Sequence, residues 1–160
     1  LKVNGTTFSP VGNLYTTPKT VTLSTPTSGA SLHYTVDGST PTAGSALYTA
    51  PITIGTGTVL KVVGVKAGWA NSNESVATYT FNFGALPTPT IDPGAGPFTS
   101  SVDVTMASSQ SGATVRYTTN GSTPTTTSTA YTGPVAISVS GTVKAKAFHP
   151  DYTASAETSR

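Results

Sequence analysis

The chain has 160 residues, of which 9% are charged and none is cysteine; eight Lys and Arg against six Asp and Glu leave a net charge of +2. So few and so scattered charges give no footprint for nucleic acid or an anionic membrane, and the lack of thiols removes disulfides and thiolate metal sites. With 33 Thr, 19 Ser, 16 Gly and 12 Pro the composition favours strands and turns over helices, while apolar residues set in alternating strings argue against disorder.

The sequence begins at Leu1 rather than Met, so a leader or a larger parent is expected to precede this stretch. Leu1-Lys-Val-Asn4 alternates apolar and polar residues ahead of the first clear strand. Val21–Thr25 and Leu32–Val36 then alternate with period two, separated by Ser28-Gly-Ala30, which marks half-buried antiparallel strands. Asp37-Gly38 is a pair that readily accepts positive φ in a tight turn, and Ser-Thr-Pro-Thr42 after it forbids helix and favours an extended edge. Tyr48-Thr-Ala-Pro-Ile-Thr-Ile54 and Val59–Val65 follow, the latter with Leu60 and Val62 on one face and Lys61 on the other. Val76–Phe83, with Ala77, Tyr79, Phe81 and Phe83 on one side, is a strongly apolar last strand.

Residues 84–90 read as a short, proline-stiffened linker, and then the pattern returns. Residues 8–77 align with 91–160 at a constant offset of 83 without a gap, with 22 identities in 70 positions. Tyr34-Thr-Val-Asp-Gly-Ser-Thr-Pro-Thr42 reappears as Tyr117-Thr-Thr-Asn-Gly-Ser-Thr-Pro-Thr125, and the identical residues are mainly turn formers, aromatics and prolines, with one acid (Glu74 and Glu157) and one base (Lys61 and Lys144) among them. What is duplicated is architecture. A unit of this length can bury a small core by itself. The expectation is therefore all-β, two tandem immunoglobulin-like antiparallel β-sandwich domains, at 1–83 and 91–160.

The second copy stops at Arg160, aligned with Ala77, so no counterpart of Thr78–Phe83 is present. A sheet lacking its last strand leaves unpaired backbone groups beside an open core, and it invites pairing. Three readings stand: the parent polypeptide continues; a strand from another copy of the protein fills the gap by donor-strand complementation, chaining subunits head to tail, with Leu1, Lys2, Val3 and Asn4 as the candidate donor; or the sheet has one strand fewer.

The motif Tyr-Thr-x-Asp/Asn-Gly-Ser-Thr-Pro-Thr, followed by Tyr48-Thr-Ala-Pro or Tyr131-Thr-Gly-Pro and by Lys144-Ala-Lys-Ala-Phe148, resembles the chitobiase/β-hexosaminidase C-terminal-type domain. The resemblance covers nearly the whole chain, twice. It departs from the pattern at Val62-Val-Gly-Val65 and at Asn120, where Asp is usual. It implies an immunoglobulin- or fibronectin-like accessory module, often in tandem, in bacterial secreted enzymes and surface proteins. It carries no catalytic residues, because the family's active sites lie in a separate barrel.

The residues themselves point the same way. Hydrolysis of a glycoside needs two facing carboxylates, whereas Asp37, Glu74, Asp92, Asp103, Asp151 and Glu157 sit in turns, at strand ends or beside the linker. His33 and His149 lack a second ligand at metal spacing, and no Ca²⁺ loop motif is present, so neither a metal nor a cofactor is expected. Lys144 and Lys146 alternate on a strand and read as a solvated face. The sequons at Asn4, Asn73 and Asn120 are the number that so Thr- and Ser-rich a chain supplies by chance. Sugar rings stack on loop aromatics, and Trp69 aligns with Tyr152, with Asn71 nearby; Trp69, Asn71 and Tyr152 are the carbohydrate-binding candidates, set against a packing role. Two functions remain from the sequence. One is a non-catalytic extracellular or cell-surface spacer, stalk or fibre subunit, partnering other copies of itself. The other is a polysaccharide-binding accessory of a secreted bacterial enzyme. No nucleic-acid partner and no membrane insertion are expected.

Overall fold

Period-two alternation leaves one outcome open to a chain this poor in helix formers: each strand sends alternate side chains inward, and two sheets close over them. The computed structural model describes residues 1–160, all β and turn, as two units, Leu1–Phe83 and Gly84–Arg160. No helix is long and apolar enough to cross a membrane.

The first unit has eight strands: β1 (Thr7–Ser9), β2 (Leu14–Tyr15), β3 (Lys19–Ser24), β4 (Ser31–Thr35), β5 (Ala46–Leu47), β6 (Ile52–Ile54), β7 (Thr58–Val65) and β8 (Ser75–Phe81). One sheet runs β1-β3-β6 and the other β2-β8-β7-β4-β5, all antiparallel except for β2 on β8. Val21, Leu23 and Ile54 from the small sheet meet Leu32, Leu60, Val62, Ala77, Tyr79 and Phe81 from the large one. The outward-pointing Lys61 reaches Glu74 at 3.1 Å. Val63 departs from this alternation: it lies on the outer face opposite His33, yet it is buried.

The second unit has β9 (Thr90–Asp92), β10 (Val102–Ala107), β11 (Thr114–Thr118), β12 (Thr129–Ala130), β13 (Val135–Ile137), β14 (Lys144–Phe148) and β15 (Thr158–Ser159), in sheets β13-β10-β9 and β12-β11-β14-β15. Registers repeat at the same offset. Phe8 faces Leu23 as Ile91 faces Met106, and Val21 faces Ile52 as Val104 faces Val135. The Ser9–Pro10 and Asp92–Pro93 peptide bonds are both cis. The cores are unequal. The second has Ile91, Val104, Met106, Val115, Val143 and Ala145; the counterparts of Tyr79 and Phe81 would fall beyond Arg160.

The repeat reaches further back than sequence identity shows. Val3 donates its N–H to the Ala70 carbonyl (2.9 Å), Ala70 donates to Leu1 (3.0 Å), and Val3 is 2% exposed. In the second unit Leu86 donates to Thr153 and Thr153 to Gly84, each at 2.9 Å, and Leu86 is buried. Gly84–Leu86, expected in the linker, is thus hydrogen-bonded into the second unit as Leu1–Val3 is into the first. One apolar plug per copy, Val or Leu, is all that marks this segment in the sequence.

Candidate functional site

The Asp37 and Asn120 turns come first, because one of them carries an acid. Asp37 Oδ1 accepts from the Ser39 amide (3.0 Å) and the Ser39 hydroxyl (2.6 Å), while Thr35 Oγ1 donates to the Ser39 carbonyl (2.6 Å). Asn120 Oδ1 accepts from Ser122 in the same two ways, at 3.1 and 2.7 Å, and Thr118 Oγ1 again donates to the Ser122 carbonyl. This is an Asx turn, in which the side-chain oxygen does the work and its charge is dispensable. Positive φ falls only on the glycines, +81° at Gly38 and +77° at Gly121, so Asp37 and Asn120 do not share it and a two-residue primed hairpin does not form. The hydroxyl of Ser39, and then its amide, holds the Asp37 carboxyl below the usual carboxylate range.

Other acids are similarly engaged in framework contacts. Glu157 meets Lys144 at 2.8 Å, the counterpart of the Glu74–Lys61 pair, and that Lys144 contact with a hydrogen bond from Thr123 lowers its pKa. No group of three or more His, Cys, Asp or Glu side chains converges. His33, on the outer face of β4, has its ring nitrogens 3.0 Å from the Ser45 carbonyl and 3.3 Å from Ser31 Oγ.

The aromatic candidates occupy equivalent turns, one per unit. Trp69 donates its backbone N–H to Lys66 (3.1 Å) across Gly68, which has φ +75°. Its ring is half-buried, and Lys66 Nζ lies 4.5 Å from the ring centroid while also donating to the Ser28 carbonyl (2.7 Å). One face of the indole is therefore taken by the protein's own cation. Asn71 is exposed. Tyr152 closes the same turn on His149 (3.2 Å), and the two rings meet edge to face at 5.1 Å. Tyr152 also borders an open groove with Arg116, Phe148, His149 and Pro150. Trp69 and Tyr152 thus belong to separate units, each in its own turn.

A second and more enclosed concavity was not among the sequence candidates for binding. It holds about 420 Å³ in the second unit and is lined by Ile91, Pro93, Phe98, Val104, Ile137 and Val143 among others. Phe98 is 50% exposed and Val139, on its rim, 77%.

Two comparisons complete the picture. The family model for the chitobiase/beta-hexosaminidase C-terminal domain matches residues 10–80 and again 93–159. Among curated proteins, none matches the chain.

Proposed function

The chain belongs to the chitobiase/β-hexosaminidase C-terminal domain family, with two copies in tandem, and from that premise we propose that it is a non-catalytic structural module of a secreted or cell-surface protein, a spacer or stalk able to assemble through the open sheet edge of its second copy. The family is an accessory module of glycosidase-like proteins. The observation that carries the reading is the exchange of Asp37 for Asn120 with every hydrogen bond of the turn retained. A side chain that keeps its geometry while its charge is dropped serves the framework. The paired repetition of Lys61–Glu74 and Lys144–Glu157 supports the same view.

The assembling part of the proposal requires a donor. Leu1–Asn4 would have to leave the Ala70 ladder and expose Val3 to act as one, which favours a donor from outside residues 1–160.

A second reading, polysaccharide binding, is favoured by one feature, the open groove beside Tyr152. Pulldown on insoluble chitin, cellulose and xylan separates the two. The spacer reading expects the chain in the unbound fraction on all three. Retention that is lost in Tyr152→Ala or Trp69→Ala would replace it with the binding reading.

A further inference from the structure

Asparagine followed by glycine occurs twice in the chain, as Asn4-Gly5 and Asn120-Gly121, and each pair precedes a hydroxyl residue, Thr6 or Ser122. This pair is the one most open to self-modification, because a residue without a Cβ leaves its main-chain nitrogen unhindered beside the carboxamide. Asn4 and Asn120 are both exposed. Hydrogen bonding is what separates them.

At the second pair every reacting group is engaged. Asn120 Oδ1 accepts from the Ser122 amide at 3.1 Å and from the Ser122 hydroxyl at 2.7 Å, which fixes the carboxamide in the Asx turn. The Gly121 N–H, whose proton would have to leave, donates to the Thr142 carbonyl at 3.0 Å.

At the first pair the same groups are turned to other uses or to none. The Thr6 amide donates to Ser75 Oγ at 3.1 Å, and the Thr6 hydroxyl is buried without a partner, so neither holds Asn4 Oδ1. The Asn4 carboxamide and the Gly5 N–H make no hydrogen bond. The main chain around them is nonetheless anchored: Asn4 donates its N–H to Thr27 Oγ1 at 2.9 Å and its carbonyl accepts from Thr25 Oγ1 at 3.3 Å. The fold thus leaves the reactive atoms of this pair uncommitted and in water.

We propose that Asn4 is a site of spontaneous deamidation in the native chain and that the Asx turn protects Asn120. The Gly5 nitrogen loses its proton to solvent hydroxide and attacks Asn4 Cγ. The N–Cγ bond forms, the Cγ–Nδ2 bond breaks, and ammonia leaves with a proton taken from water. Water then opens the five-membered succinimide at either carbonyl, giving aspartate or isoaspartate. Both products carry a new negative charge, and isoaspartate adds a methylene to the main chain between the Val3 and Thr6 anchors. The site is independent of the spacer and assembling roles proposed above.

The test follows the freshly purified full chain in mildly alkaline buffer, with timed samples digested and mapped by mass spectrometry and isoaspartate counted by enzymatic methyl labelling. Asn4 should convert at least tenfold faster than Asn120. In urea strong enough to unfold the chain the two sites should convert at similar rates, because only the fold distinguishes them. Equal rates in the native chain, faster conversion at Asn120, an Asn4 that stays intact while the unfolded chain converts, or a preference for Asn4 that persists in urea would each overturn the proposal. None of those outcomes touches the spacer reading, which the polysaccharide pulldown tests by itself.

Discussion

At the scale of the residue, the most informative side chains are small and polar. Ser72 Oγ accepts from the Gly64 amide (2.8 Å) and donates to the Asn73 carbonyl (2.8 Å). Ser155 does the same between the Ala147 amide (2.9 Å) and the Ala156 carbonyl (2.7 Å). Both serines are buried, so removal of the hydroxyl strands a backbone N–H away from water. Ser72→Ala and Ser155→Ala should each cost about 1–3 kcal/mol in denaturant titrations of the full chain. Tyr79 supplies a second expectation. Burial, aided by the neighbouring Tyr15, pushes its phenol up to about 12, against about 10 in an unfolded chain. Because the native state holds the proton more tightly, the contribution of Tyr79 is intact below pH 10 and is lost as pH rises from 10 towards 12. Melting curves of the chain should therefore shift downward across that window, and Tyr79→Phe should flatten this part of the dependence. An identical alkaline slope in Tyr79→Phe would show that another group is responsible.

At the scale of the element, long alternating strings were readable and short edge strands were not. β3, β4, β7 and β8 announce themselves because Val21 and Leu23, Leu60 and Val62, or Ala77, Tyr79 and Phe81 point one way between polar neighbours. β2 and β5 have two residues each, too few for any period, and exist because the edges of β8 and β4 supply partners. Val36 was grouped with Leu32 and Tyr34 by alternation; it is 49% exposed because β4 ends at Thr35 and the Asx turn redirects the chain. The docking of Leu1–Val3 was invisible for a related reason: a single apolar side chain beside Ala70 carries it. Gly64 receives that side chain, since a Cβ there would lie 2.7 Å from Val3 Cγ1. Val3→Ala should cost about 2 kcal/mol, and a chain starting at Gly5 should lose at least as much; unchanged stability in both would mean that the segment is not docked in solution. Of the candidate site, the aromatic turns were legible as positions, but the Lys66 ammonium against Trp69 depends on how the turn closes, which no spacing in the sequence reveals.

At the scale of the whole molecule, residues 1–160 are one framework built twice on unequal cores, the first holding Tyr79 and Phe81, whose counterparts would fall beyond Arg160. Losing two aromatic rings from a core removes burial worth several kcal/mol by the usual area relation, on the order of 25 cal/mol per Å². The two units should therefore differ in stability although their registers coincide. Trp69 is the single tryptophan and lies in the first unit, so its fluorescence follows that unit alone, while far-ultraviolet circular dichroism follows both. The decisive measurement is a thermal melt of the full chain read by the two probes together. The expected result is a first loss of β signal, from the second unit, that leaves tryptophan emission unchanged, then a later transition seen by both. Coincident single transitions, or tryptophan emission changing first, would contradict the claim that, within residues 1–160, one framework is built on two cores of unequal strength.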